Sequence, residues 1–297
     1  MPVLVNVEGQ LVPPEQATVS VFDRGFLYGD SVYEVARTYG GRPFELGRHL
    51  DRMDRSADRI GLTLPPRERI EGEIQRTLDA ARNPESYVRI VVTRGEGRFG
   101  LSPHLAQGMS RMFVIVRPLE PAPREQYEKG LQVAVTLTRR NPTACLDPSL
   151  KTGNYMNNIL ALREAHAAGA DDALLLDLRG QVTEASTSNV FFVQKGIVVT
   201  PPLALGMLQG VTRTVVLEVA RGEGLIVREE PFGPEALAAA DEVFVTSTIR
   251  EVMPVTSLVL LGGAAPDVRR IGDRKQGPVT RRLHEAFRKY VARTHGA

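Results

Sequence analysis

Lys151 stands in the stretch SLKTGNYMNNIL, residues 149–160, just ahead of a segment with helical spacing. A lysine amine does chemistry as a Schiff-base former when it is desolvated or set beside other positive charge. The N-terminus of a helix, whose first turn here would contain Gly153 and Asn154, is one source of such charge. Read alone, Lys151 is more simply an ordinary solvated lysine. VTEASTSNVFFV, residues 182–193, places Glu184 in a short polar turn between two apolar strands, where a capping carboxylate is the everyday role. In LQGVTRTVVLEVA, residues 208–220, Gly210 opens a helix whose unpaired N–H groups suit a phosphate, with a hydroxyl from Thr212. In FVTSTIREVMPV, residues 244–255, Ser247 and Thr248 follow a strand and form a candidate anion nest.

These residues fall at the ends of elements that the chain's periodicity outlines. Val3 to Val7 reads as a strand, and Ser31 to Tyr39 as a strand ended by the hairpin turn Gly40-Gly41. Leu46, Leu50, Met53 and Ala57 recur at helical spacing within Phe44 to Ile60. Pro65-Pro66 ends that helix, and Ile70 to Arg82 forms a second. Tyr87 to Thr93 and Met112 to Val116 are strands. RPLEPAPREQYEKG, residues 117–130, carries three prolines among charges and reads as a linker. Beyond it come strands at 131–137, 173–178, 189–194, 197–199 and 242–246, with helices at 155–168, 211–220 and 278–294. We expect a mixed α/β chain of two domains: 1–118, a linker over 119–129, and 130–297.

Composition narrows the partners. The 37 basic and 35 acidic residues leave a net charge of only +2, which offers nothing to nucleic acid or to an anionic membrane. No apolar run approaches the ~20 residues needed to span a bilayer. Cys145 is the only cysteine, so neither an internal disulfide nor a cysteine-based zinc site is possible. MPVLVNVEGQLVPPEQ lacks the pattern of a secretory signal, and the expected location is the cytoplasm. The five histidines lack metal-ligand spacing, so no metal is expected. GEGRFG, residues 95–100, matches G-x-G-x-x-G literally, but Pro103 follows and no helix opens. It reads as a mobile loop, not as a dinucleotide-binding turn.

An amine, a carboxylate and two anion-binding turns are together the parts that pyridoxal phosphate (PLP) requires: one for its aldehyde, one for its ring nitrogen, the rest for its phosphate. On DRGFLYGDSVYE, TEASTSNVFFV, LQGVTRT, STIREVMPV and GPVTRRLHEAF, the chain resembles the class IV (fold-type IV) PLP-dependent aminotransferases over nearly its whole length. That resemblance implies a small N-terminal α/β domain and a larger C-terminal one with PLP between them, in a homodimer or higher assembly. It implies that Lys151 forms the internal aldimine and that Glu184 pairs with the pyridine nitrogen. Tyr155 would sit near the phenolic oxygen and Leu208 would pack on the ring face. Arg52, Gly210, Val211, Thr212, Ser247 and Thr248 would hold the phosphate.

The implied reaction is ping-pong transfer of an amino group between an amino acid and a 2-oxo acid such as 2-oxoglutarate, both small molecules. YVR at 87–89 with Tyr33 is similar to the carboxylate-binding arrangement of branched-chain L-amino acid aminotransferases, making Tyr33, Tyr87 and Arg89 substrate residues. D-amino acid enzymes use an R-x-H pair in the following loop; here Arg98 is followed two positions on by Gly100. Arg98 remains a candidate second carboxylate trap, and DRGFLYGDSVYEVARTYGG is closer to the D-enzymes. D-amino acid and (R)-amine aminotransferases are therefore the alternatives, followed by 4-amino-4-deoxychorismate lyase.

Overall fold

The alternation in SYVRIVVT builds the first sheet: Val88, Ile90 and Val92 are buried on one face while Tyr87, Arg89 and Val91 stand on the other. In the computed structural model, which describes residues 2–296, the chain divides into two compact units. One runs to Glu120 and takes in Leu150–Asn154 and the chain from Thr294; the other holds Pro121–Ser149 and Tyr155–Arg293. The expected large domain contained Lys151, whereas its segment packs within the first unit.

That unit contains β1 (Leu4–Val7), β2 (Gln10–Val12), α1 (Arg24–Tyr28), β3 (Ser31–Tyr39), β4 (Arg42–Pro43), α2 (Leu46–Arg59), α3 (Arg67–Ala81), β5 (Ser86–Thr93) and β6 (Arg111–Pro118). Its strands lie in the antiparallel order β2-β1-β6-β5-β3-β4. β3 and β4 pair Tyr39 with Arg42 across Gly40-Gly41, both at positive φ, as the hairpin signal predicted. Leu50, Met53 and Ala57 of α2 join Ile70, Ile74 and Leu78 of α3 against Val32, Ala36, Val88 and Ile90. The opposite face of the sheet carries Tyr33, Tyr87 and Arg89, because side chains two residues apart share a face.

The second unit contains α4 (Arg124–Lys129), β7 (Leu131–Val135), α5 (Met156–Ala167), β8 (Asp172–Leu176), β9 (Val182–Ala185), β10 (Asn189–Gln194), β11 (Ile197–Thr200), α6 (Val211–Gly222), β12 (Val227–Glu229), α7 (Pro234–Ala238), β13 (Glu242–Ser247), β14 (Glu251–Leu260), β15 (Asp267–Arg270) and most of α8 (Pro278–His295). The nine-stranded mixed sheet follows β12-β11-β10-β13-β14-β7-β8-β9, with β15 beside β14, and β9 pairs again with β10. That second pairing closes six strands into a ring. Ala161 and Ala165 of α5 pack on Ala134, Ala173 and Leu175, where small residues let the helix approach the sheet closely.

Three expectations are corrected. The stretch read as a linker is helical over α4, where Arg124 pairs with Glu128 one turn on and Tyr127 is buried in the core of the second unit. Glu184 lies inside strand β9 opposite Leu175, not in a turn. The polar run TEAS concealed the strand because its hydroxyls find buried partners: Thr183 Oγ1 donates to Leu175 O at 2.8 Å. The helix after Lys151 begins only at Met156, so Gly153 and Asn154 are not its first turn and the helix terminus does not bear on the amine. No helix among the described residues is long and apolar enough to cross a membrane.

Candidate active site

The first unit positions Lys151 by backbone pairing. Tyr33 N donates to Lys151 O at 3.0 Å, Gly153 N to Ser31 O at 2.9 Å, and Lys151 N to Ser56 Oγ at 3.1 Å. Residues 151–153 thus run along the end of β3, and the lysine side chain turns inward to 9% exposure. Its Nζ lies 4.5 Å from the centroid of the Tyr33 ring and 3.5 Å from the phenolic oxygen. The Arg89 guanidinium is 4.0 Å from the same centroid. Two cations converging on one tyrosine form a region that attracts a carboxylate. Tyr87, one place along the same face, lies under Arg117 at 4.4 Å.

Glu34, the neighbour of Tyr33, points to the covered face and is fully enclosed. Arg52 donates to it through Nε and Nη2, both at 2.6 Å, and His49 Nδ1 lies 2.8 Å away. Burial alone would raise the Glu34 carboxyl, but the charge and hydrogen bonds of Arg52, then those of His49, hold it far below the usual carboxylate range. Burial pushes His49 down, the bond to Glu34 opposes that, and the charges of Arg52 and Lys151 add to the lowering. His49 is therefore the neutral member. Its Nε2 is buried without a hydrogen-bond partner among the described residues. Arg52, expected at a phosphate, has Nε and Nη2 engaged by Glu34.

In the second unit Glu184 is nearly enclosed. Arg140 donates to its Oε1 through Nε and Nη2, each at 2.9 Å, and Leu208 N donates to Oε2 at 3.1 Å. Arg140 Nη1 also reaches Asn157 Oδ1 at 3.0 Å and Asn158 Oδ1 at 3.2 Å, so the carboxylate is held by a cation itself held in place. Asn189 donates from Nδ2 to Leu208 O at 2.9 Å, which fixes the segment leading into α6. That helix starts at Val211 with Gly210 as a cap that has no side chain, leaving the first-turn N–H groups to an outside acceptor. A Cβ on Gly210 would overlap Asn189 Oδ1. Val211 and Thr212 are buried there. Asn189 lies opposite Thr246 in the β10–β13 ladder, so the end of β13, with Ser247 and Thr248, neighbours this turn. Ser247 Oγ accepts from Arg250 N at 3.2 Å, closing the turn before β14. Tyr155, half-buried, is the residue ahead of α5.

The fold thus gathers Tyr33, Arg89 and Lys151 in one unit, and Glu184 and the 208–212 turn in the other. Arg98 joins neither group: it is exposed on the loop after β5, and its side chain makes no hydrogen bond or ion pair among the described residues. Unit by unit the chemistry fits PLP: the first offers a buried primary amine, and the second a buried carboxylate paired with arginine and helix N–H groups beside a hydroxyl. Arg140, Glu34 and His49 escaped sequence reasoning. For Glu34 the signal was available, a charge inside a strand rich in β-branched and aromatic residues; for Arg140, in TLTRRNPT, there was none.

Comparison with known proteins gives the family. The sequence model of the amino-transferase class IV family matches residues 31–258. A putative branched-chain-amino-acid aminotransferase of Methanocaldococcus jannaschii is 38% identical over 285 residues, covering 96% of this chain and 95% of that one. A D-alanine aminotransferase of Listeria monocytogenes is 35% identical over 300 residues, covering 100% and 98%. The solved branched-chain amino acid aminotransferase of Thermobaculum terrenum in its PLP form superposes with a TM-score of 0.82 at 27% identity, covering 99% and 97%.

Proposed function

The chain belongs to the class IV aminotransferases, and from that premise we propose that it moves an amino group from a branched-chain L-amino acid to a 2-oxo acid such as 2-oxoglutarate. The observation that carries this reading is the convergence of Lys151 Nζ and the Arg89 guanidinium on the Tyr33 ring, at 4.5 and 4.0 Å. A base and a carboxylate anchor are then held beside one another. PLP, when bound, supplies an aldehyde carbon for the donor's amine and a protonated ring that spreads negative charge away from the substrate Cα.

Everything else is done by the chain's own groups. Lys151 Nζ takes the proton from Cα and returns it, a base-then-acid role for which its burial beside the Tyr33 hydroxyl orients it. Arg89, with Tyr33 and Tyr87, binds the substrate carboxylate through a planar fork. Glu184, paired with Arg140, would meet the ring nitrogen, and Leu208 would meet the ring face. Tyr155 would serve the phenolic oxygen. The N–H groups of Val211 and Thr212 at Gly210, the hydroxyls of Ser247 and Thr248, and Arg52 would hold the phosphate. Replacing Lys151 by Ala is expected to abolish turnover together with the visible absorbance of the bound cofactor; a variant that keeps both overturns the assignment.

The second reading, a D-amino acid enzyme, is favoured by the Listeria relative and by DRGFLYGDSVYE, and opposed by Gly100 where the R-x-H pair has histidine. Half-reactions with L-leucine, D-alanine and (R)-1-phenylethylamine separate the possibilities. Rapid bleaching by D-alanine alone would replace the branched-chain reading. We further propose a homodimer, supported by the exposed apolar side chains Val21, Phe22, Phe26, Phe99 and Leu101 on the first unit. Sedimentation of a monomer at micromolar concentration would exclude it. A cytoplasmic location rests on the lone, exposed Cys145, and cell fractionation checks it.

A further inference from the structure

GPVTRRLHEAF, residues 277–287, opens α8 and holds none of the groups assigned to the cofactor. Side chains tie this helix to both strands of the β13–β14 hairpin. Glu242, the first residue of β13, accepts from Val279 N at 2.9 Å and from Thr280 N at 2.7 Å, satisfying N–H groups that the first helical turn leaves over. Gly277 makes room for this carboxylate, since a Cβ there would come to 2.1 Å from Glu242 Cδ. One and two turns beyond Thr280, on the same helix face, stand His284 and Arg288. Both meet Glu251, the first residue of β14: His284 Nε2 lies 2.8 Å and Arg288 Nε 2.5 Å from its Oε2.

Glu251 sits on backbone that suits another residue. It pairs with Ser247 across the loop formed by residues 248–250, and its φ is +55. Left-handed backbone that closes a short hairpin loop is ordinarily the place of glycine. A glutamate persists there only where its surroundings over-determine the conformation. Here Glu251 is fully enclosed, with the two α8 side chains on its carboxylate. The loop beside it is held as well. Tyr127 Oη donates to Arg250 O at 3.2 Å, and the Tyr127 ring stacks on His284 at 4.6 Å. The Arg250 guanidinium pairs with the buried Asp172, which also accepts from Ser186 Oγ. These contacts fix Arg250 and Glu251, the C-terminal side of the loop.

The N-terminal side of the same loop borders the α6 terminus. Thr246 stands opposite Asn189 in the β10–β13 ladder, and Asn189 Nδ2 donates to Leu208 O, two residues before Gly210. Cross-strand partners share a face of the sheet, so Thr246 is on the side of that segment. Its Oγ1 is buried without a hydrogen-bond partner among the described residues. A buried hydroxyl without a partner, beside helix N–H groups without acceptors, suits an anion. We propose that Glu251, gripped by His284 and Arg288, is a positioning residue: it holds the 248–250 loop in the shape that presents the Thr248 hydroxyl to the cofactor phosphate. This rests on the assignment of Thr248 to that phosphate. Without the α8 contacts, an L side chain at 251 leaves the left-handed region, and the loop that it closes carries Thr248 away.

The test compares PLP with pyridoxal, which lacks the phosphate, by equilibrium dialysis against the full chain. Glu251→Gln is expected to raise Kd for PLP on the order of tenfold, the scale of one charge-assisted hydrogen bond. Kd for pyridoxal should stay near wild type. A general loss of structure weakens both ligands alike, so the difference between them reads the phosphate end. Glu251→Gly, which suits the backbone but gives α8 nothing to hold, should show the same selective loss. Arg288→Met should repeat it, and Arg288→Lys should recover part. If Glu251→Gln does not fold, the two Arg288 variants carry the comparison, because that side chain is 49% exposed. Added to Thr248→Ala, Glu251→Gln should cause no further loss. A Glu251→Gly protein with wild-type PLP affinity, equal losses for PLP and pyridoxal, or additive losses with Thr248→Ala overturn the positioning role alone. A Thr248→Ala protein with unchanged PLP affinity overturns the assignment of this loop to the phosphate, and the inference with it.

Discussion

Arg140→Met tests what the Glu184 pair contributes. Both side chains are nearly enclosed, at 10% and 6% exposure, and two arginine N–H groups meet Oε1 at 2.9 Å. Methionine keeps much of the aliphatic bulk and removes the charge. Stripping one partner from a buried pair costs about 3 kcal/mol, because the remaining charge stays buried and loses its cation. With a urea slope of about 3 kcal/mol/M, that loss lowers the unfolding midpoint by about 1 M. Arg140 Nη1 also meets Asn157 and Asn158 at the start of α5, so the effect is felt by that helix as well. Arg140→Lys keeps the charge but not the two-pronged contact and should recover part of the midpoint. The assay is urea unfolding at pH 7.5. An Arg140→Met variant with the wild-type midpoint would refute the reasoning.

Acid should also weaken the wild-type protein through the covered face of the first sheet. His49 is held below its ordinary value and Glu34 far below its own. The stability each contributes is complete above its unfolded-state value, about 6.5 and about 4.3, and is lost as pH falls below it, at up to about 1.4 kcal/mol per pH unit for each proton. Urea midpoints at pH 7.5, 6 and 5 measure this, and His49→Gln should flatten the upper part of the fall. Gly210→Ala, whose methyl would overlap Asn189 Oδ1, should shift the turn before α6 and weaken PLP affinity by about tenfold, the scale of one lost charge-assisted hydrogen bond. Equilibrium dialysis of the cofactor reads it, and an unchanged affinity would remove the α6 terminus from the phosphate site.

Much of this was legible in the chain itself. The hairpin at Gly40-Gly41, the α2 stripe of Leu46, Leu50, Met53 and Ala57, and the helix opened by Gly210 rest on turn geometry and side-chain periods that act within a few residues. The residue types suited to PLP stood out because few other chemistries need that combination. The sequence could not say that Glu184 would lie in a strand, because its polar neighbours conceal the pairing until Leu175 is placed opposite. Nor could it join Arg140 to Glu184, 44 residues apart, or Lys151 to Tyr33, 118 apart. Those links are set by which faces of distant strands are driven together when apolar surface is buried, and they decide the charge state and direction of each polar group. GEGRFG shows the division well: its glycines were visible as a spacing, but only the backbone pairing of residues 96–98 with 105–107, where a Cβ on Gly97 would meet Leu105 O, gave that spacing a reason.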